Sequence, residues 1–202
     1  MSGHTAYAAP HKHTDSSISL IITYPLEVIF LLSNAYAQKP LVDPVFCASF
    51  YAPYEAAARC AMEMLSSLRT QMPSDVLSLM YRLKSSASIR GKLRLKGLPE
   101  TAASAGAALH DVAGLRAVLS SREAVYRFAA LITHAPGIDL ITTHDYIASP
   151  KPSGYRSLHL IVRVPVSLPG YACSVPVEIQ LRTAAMDAWA CAEHSLIYKP
   201  RT

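Results

Sequence analysis

The sequence predicts an α+β domain built on a mixed, largely antiparallel β-sheet flanked by helices. Three observations carry that prediction. The stretches "SLHLIVRVPV" (157–166) and "SVPVEIQLR" (174–182) alternate with the period of two expected of strands. A strand-like run, a helical run and a second strand-like run follow one another from Asp111 to Ile147. From Phe50 to about Met72, apolar residues recur at helical spacing.

Taken in chain order, Tyr54, Ala57, Ala58, Ala61, Met64, Leu65 and Leu68 form the apolar stripe of the first amphipathic helix, which Pro73 breaks. "SDVLSLMYRL" after it is expected to open a second helix with Ser74 as N-cap. "RLKSSASIRGKLRLKG" holds Arg82, Lys84, Arg90, Lys92, Arg94 and Lys96 with no acid among them, and Ser85 or Ser86 can cap a helix there. The Gly/Ala/Ser-rich "LPETAASAGAAL" is expected to be a flexible loop. "DVAGLRAVLS" is a strand, and "SREAVYRFAALITHA" is a helix with Val125, Phe128, Ala129 and Ile132 on one side. A further strand is expected near Leu140–Ile147. In the alternating pair, Leu158, Leu160, Val162, Val164 and Val166 share one face with His159, Ile161 and Arg163 opposite. On its partner, Val175, Val177, Ile179 and Leu181 point inward and Glu178, Gln180 and Arg182 outward. The two are expected to pair antiparallel through "SLPGYA". A last helix, capped by Thr183, packs through Ala185, Met186, Trp189 and Leu196.

The chain has 202 residues, 51% hydrophobic and 16% charged, enough for one good core and not the composition of a disordered chain. Nineteen lysines and arginines against 14 acids give a formal charge of +5, which favours phosphate-bearing partners. The four cysteines stand far apart, each in an apolar stretch, and read as reduced core thiols of a cytoplasmic protein rather than a zinc site or a disulfide framework. Residues 17–33, "SISLIITYPLEVIFLLS", followed by "NAYAQ", have a secretion-like pattern. Pro25 and Glu27 interrupt the run and it is short for a membrane span, so residues 1–45 are read as an amino-terminal extension and 46–202 as the folded domain.

Chemistry concentrates in three places. Glu178 and Gln180 neighbour each other on one strand face, and the partner strand presents His159 to that face. At the basic segment, a helix start with free N–H groups has Lys84 just before it and Ser88 and Lys92 at i, i+4 spacing within it, the makings of a phosphate site. Asp111 stands at the mouth of an apolar strand, where a carboxylate can hold Mg²⁺ against substrate phosphates. Between them lies "PKPSGYRSLH" (150–159), a loop dense in rings and cations.

Five ordered motifs, "RLKSSASIRGKL", "HDVAGLR", "DYIASPKPSGYRSLH", "VEIQLRT" and "MDAWACAEHSLIYK", together resemble the synthetase domain of the RelA/SpoT family, particularly its small stand-alone alarmone synthetases. The resemblance runs from about Pro53 to Lys199. It implies a nucleotidyltransferase-like synthetase fold and transfer of the β,γ-pyrophosphate of ATP to the 3′-hydroxyl of GDP or GTP, giving the alarmone (p)ppGpp. It further implies that Arg82 and Arg116 sandwich adenine, that Lys84, Ser88 and Lys92 belong to the ATP site, that Asp111 and Glu178 hold Mg²⁺, and that Glu178 takes the proton of the attacking hydroxyl. In the acceptor loop it places Tyr155 against guanine, Lys151 and Arg156 on phosphates, and His159 with Gln180 in the nucleotide pocket. His144 stands where many relatives carry a basic residue. Small synthetases continue into carboxy-terminal helices that complete a tetramer, whereas this sequence ends at "YKPRT", so those helices and the tetramer are expected to be absent. Two other readings stay open: a same-fold enzyme acting on a tRNA 3′ end or an adenine nucleotide, and a truncated, inactive nucleotide-binding relative.

Overall fold

The computed structural model describes residues 44–198, with side chains from 48 to 193. The secretion-like run and the rest of the expected extension before residue 44 lie outside the described residues. In chain order the elements are α1 (Pro44–Arg69), β1 (Val76–Leu83), α2 (Ser86–Leu95), α3 (Ala102–Ala108), β2 (Ala113–Leu119), α4 (Arg122–Thr133), β3 (Asp139–Asp145), β4 (Leu158–Leu168), β5 (Tyr171–Thr183) and α5 (Ala184–Tyr198).

One sheet of five strands carries the fold, in the order β1-β2-β5-β4-β3. Only β2 and β5 run parallel; every other pair is antiparallel, as the largely antiparallel expectation requires. β4 and β5 pair from Leu158↔Leu181 to Leu168↔Tyr171, closing at Pro169–Gly170 inside the expected connection. One face of the sheet is apolar. Leu115, Leu160, Val162, Val177, Ile179 and Leu181 bury against Ala57, Ala58, Ala61 and Leu65 of α1 and against Val125, Phe128 and Ile132 of α4. Burying side chains of this size contributes roughly 1.5–3 kcal/mol each, so this layer is what holds the opposite, polar face in place.

Several expectations change. "SDVLSLMYRL" is not a helix: it supplies β1, an edge strand paired antiparallel with β2 from Val76↔Leu119 to Leu83↔Ala113. Leu, Met and Arg are good helix formers, but an eight-residue apolar run cannot be told from a helix by periodicity, and pairing with a buried strand decides. "LPETAASAGAAL" is not a flexible loop, since α3 forms within it with Thr101 as N-cap accepting from the Ser104 N–H. Alanine is the best helix former, Thr101 caps the run, and burial of Ala105 and Leu109 supplies the packing that so short a helix requires. The three cysteines whose side chains are described are not core thiols: Cys60 and Cys191 are exposed and Cys173 is half-buried, while the side chain of Cys47 lies outside the described ones. Ala185 is exposed and Trp189 is 47% exposed, so of the expected packing residues of α5 only Met186 is buried; the side chain of Leu196 is outside the described ones. Arg182, expected to face outward, is 4% exposed.

Candidate active site

The polar face of the sheet forms the floor of a cleft of about 1000 Å³. Register explains what converges there. Gly114 and Arg116 of β2 lie beside Glu178 and Gln180 of β5, whose other neighbours are Ile161 and His159 of β4; beyond them His144 of β3 faces His159. On the far side Arg82 of β1 is opposite Gly114. The side chains of Arg82, Arg116, Glu178, Gln180, His159 and His144 all reach the cleft.

The donor-side wall comes from α2 and the strand mouths. Ser85 caps α2 by accepting from the Ser88 N–H, and its hydroxyl donates to the Ser88 Oγ at 2.9 Å. The expected free N–H groups are therefore partly satisfied by the chain itself, and Ser88 is exposed outside the cleft lining. Lys92 lines the cleft. Lys84 and Lys92 both place Nζ 2.9 Å from the same oxygen, Asp111 Oδ2. Burial pushes the Asp111 carboxyl up, and the two lysines outweigh it and hold the group below its ordinary value. Asp111 Oδ1 is buried without a hydrogen-bond partner. A buried carboxylate oxygen without a partner is costly unless something fills it, and a hard cation fits such an oxygen. Among the described residues no group of three or more metal-ligating side chains forms. The donor set is the one or two carboxylates with which Mg²⁺ is commonly held when substrate phosphates complete its shell.

At the centre, both Glu178 oxygens are engaged. His159 Nδ1 lies 3.0 Å from Oε1, and Gln180 donates to Oε2 at 2.6 Å. Burial pushes this carboxyl up, as does the charge of Asp111, but the bonds from His159 and Gln180 prevail and hold it below the ordinary glutamate value. The chain of bonds continues: the Tyr155 hydroxyl is 2.8 Å from His159 Nε2 and accepts from Arg182 Nη2 at 2.7 Å. The tautomer that satisfies every partner carries hydrogen on Nδ1, donates to Glu178 and accepts from Tyr155.

The acceptor-side wall is the loop between β3 and β4. Asp145 starts it by accepting from the Ile147 and Ala148 N–H groups, and Tyr126 donates to its other oxygen. Gly154 adopts φ 84°, and its Cα faces the Trp189 ring so closely that an added Cβ would lie 3.5 Å from it. Only glycine takes this conformation without strain, which is what lets the loop lie against α5. Lys151 stands over the rings of Tyr146 and Tyr155, 4.6 and 5.0 Å from their centroids. Arg156 does not line the cleft; its Nη1 donates to the Ile147 carbonyl and braces the loop.

Nine of the twelve sequence-derived site residues thus line one cleft, Lys84 reaches it through Asp111, and Ser88 and Arg156 stand outside its lining. Sequence reasoning missed Tyr146, Arg182 and Asp187. Tyr146 packs edge-on against both Tyr155 and His159. The signal for Arg182 was its period-two spacing from Glu178 and Gln180; Asp187 had none. The lining holds six lysines and arginines against three carboxylates, a cation excess suited to a polyphosphate.

A family model described as a region found in RelA / SpoT proteins matches residues 81–202, which contain every one of these site residues. The chain belongs to the RelA/SpoT family. Among curated RelA/SpoT relatives, it is 35% identical over 159 residues to GTP pyrophosphokinase YjbM of Bacillus subtilis, covering 74% of this chain and 72% of that one. It is 42% identical over 118 residues to GTP pyrophosphokinase YwaC of the same organism, covering 58% of this chain and 56% of the relative, about half its length. The fold matches the small alarmone synthetase 1 of Bacillus subtilis bound to its product pppGpp with a TM-score of 0.69 at 33% identity, over 75% of this chain and 79% of that one. It matches a GTP pyrophosphokinase family protein from Streptococcus pneumoniae with a TM-score of 0.70 at 32% identity, over 75% and 76%. The synthetase fold expected from the motifs is therefore the fold of this RelA/SpoT chain. Among the described residues no helix is long and apolar enough to cross a membrane.

Proposed function

We propose that the chain is an alarmone synthetase that moves the β,γ-pyrophosphate of ATP to the 3′-hydroxyl of GDP or GTP. The observation that carries this reading is the pairing, in one cation-rich cleft, of a half-buried carboxylate with one buried, unpartnered oxygen, Asp111, and a second carboxylate held ionised, Glu178. Arg82 and Arg116, on neighbouring strands, offer two guanidinium planes to the donor adenine. Lys84 and Lys92 neutralise the triphosphate, exchanging Asp111 Oδ2 for phosphate oxygens. Asp111, through Oδ1, and Glu178 would hold Mg²⁺, which supplies further neutralisation of the triphosphate when bound. On the acceptor side the Tyr155 ring serves as platform for guanine, while Lys151 moves from the ring faces to a phosphate. Glu178 accepts the proton of the 3′-hydroxyl as its oxygen bonds to the β-phosphorus. The bond from that phosphorus to the α-phosphate's bridging oxygen breaks, and AMP leaves. Transfer of this kind rests on positioning and charge neutralisation, and the cleft supplies both.

The test is incubation of the purified chain with γ-labelled ATP and Mg²⁺ plus GDP, GTP, adenine nucleotides or tRNA. Label in a guanosine product that is lost in Glu178→Gln is the expected result. Label transferred only to tRNA or to an adenine nucleotide, or no transfer with a folded chain, overturns it.

A further inference from the structure

We propose that Asp187 is a positioning residue that ties the two walls of the cleft together, an inference that rests on the reading above of one nucleotide on each wall. Asp187 sits in the first turn of α5. Its Oδ1 lies 3.1 Å from Arg116 Nη1 and accepts from Arg182 Nη1 at 3.0 Å. One oxygen is thus shared by a guanidinium of β2, on the donor side, and one of β5, beside the acceptor loop. The second guanidinium is nearly enclosed, with 5% of its side chain exposed against 22% for Arg116. Arg182 passes the connection on: Nη2 donates to the Tyr155 hydroxyl at 2.7 Å and to Gln180 Oε1 at 2.8 Å. Tyr155 bonds His159, and His159 and Gln180 bond Glu178. An unbroken path runs from the donor-side arginine to the platform and the base.

Sharing gives the connection a sign. A single oxygen between two cations divides its attraction, so a ligand that draws Arg116 away leaves Oδ1 to Arg182 alone. Arg182 then holds Tyr155 and Gln180 more firmly, and the acceptor site is better ordered before the acceptor arrives. Binding on either wall favours binding on the other, and linkage makes the effect equal in both directions.

The experiment uses the full chain, with Mg²⁺, a non-hydrolysable ATP analogue and GDP, each titrated alone and with the other saturating. The expected wild-type result is a tightening of each by about fivefold or more, the lower end of usual coupling. Asp187→Ala is expected to bring that factor to within about twofold and to raise KM for both nucleotides more than it lowers kcat. Asp187→Asn, which keeps an acceptor oxygen but not the charge, should fall between. A second readout needs no nucleotide. Trp189, the single tryptophan, stands on Gly154 of the acceptor loop, and acrylamide quenching reports how firmly the loop is held. Asp187→Ala should raise quenching, and adding Tyr155→Phe should raise it no further, because both act on one path. Unchanged coupling in Asp187→Ala, or additive quenching in the double variant, overturns the proposal and leaves Asp187 a structural ion pair. If the wild type binds neither nucleotide, the two-nucleotide reading fails, and the quenching cycle still decides whether Asp187 positions the loop.

Discussion

Replacing His159 by alanine should move the acid limb of the transfer reaction to higher pH. The residue is 7% exposed and donates from Nδ1 to Glu178 Oε1 at 3.0 Å, one of two side-chain bonds that keep a half-buried carboxyl ionised. A hydrogen bond to a charged group contributes about 1.5–3 kcal/mol, and 1.36 kcal/mol corresponds to about one pKa unit. Loss of the donor should therefore raise the Glu178 value, by less than the full worth of the bond because water can enter the vacated polar space. The sign follows from the folded state. The Glu178 value is depressed, so its ionised form is present above the ordinary glutamate range and is lost only as pH falls through the lower folded value. In the variant, burial and the Asp111 charge are opposed by Gln180 alone, and the loss begins at higher pH. The assay is kcat/KM for the acceptor against pH at saturating ATP and Mg²⁺, since that quantity reports groups of the ATP-bound enzyme that meets the acceptor. His159→Asn, whose amide can stand near the Nδ1 position and donate to Glu178, should recover most of the wild-type limb. His159→Gln, which reaches towards Tyr155 instead, should not. An unshifted limb in His159→Ala, or asparagine no better than alanine, refutes the reasoning.

Three further outcomes are expected. Gly114→Ala should leave the melting temperature unchanged or slightly raised, because an added Cβ would meet only backbone oxygens at 3.9 and 4.0 Å, yet should cut transfer at least about tenfold because that Cβ stands on the cleft floor beside Glu178; thermal melts and steady-state rates on one preparation check it. Asp111→Asn should abolish Mg²⁺-dependent nucleotide binding in calorimetry. It should also flatten acid unfolding, because the depressed Asp111 value contributes stability above its unfolded value, lost as pH falls through the folded one. Acceptor binding should change Trp189 emission and ATP-analogue binding alone should change it less, since the ring rests on Gly154 of the acceptor loop.

The β4–β5 pair was legible because one face of each strand is buried, which ties register to the pattern Leu158–Val166 against Val175–Leu181. That register alone brings His159, Glu178 and Gln180 together. β1 was not legible, because Leu77 and Tyr81 are 50% and 40% exposed and an edge strand of this kind has no alternation to read. α3 was hidden by small residues that suit loops and helices alike. For Arg182 the strand period identified the face correctly but not the depth. Period two says which side of the sheet a residue occupies; what stands over that side, here α5 and the loop at Tyr155, depends on contacts distant in sequence. The same limit hid Asp187, whose importance comes from two arginines on different strands.

The position of the base follows from how the sheet is wound. β5 lies at the centre of the sheet, with a parallel neighbour on one side, β2, and an antiparallel neighbour on the other, β4. β2 enters from Asp111, which Lys84 and Lys92 bond, and β4 enters from the acceptor loop, so the two walls meet over β5. At Glu178 its flanking residues are Gly114, which has no side chain, and Ile161, which has no charge. Two residues further on the same face, at Gln180, they are Arg116 and His159. The carboxylate therefore stands at a low point of the floor between donor-side cations and the acceptor-side platform, with no competing cation beside it along the sheet. A side chain at position 114 would close that gap without disturbing the fold, which is why the glycine substitution separates stability from transfer.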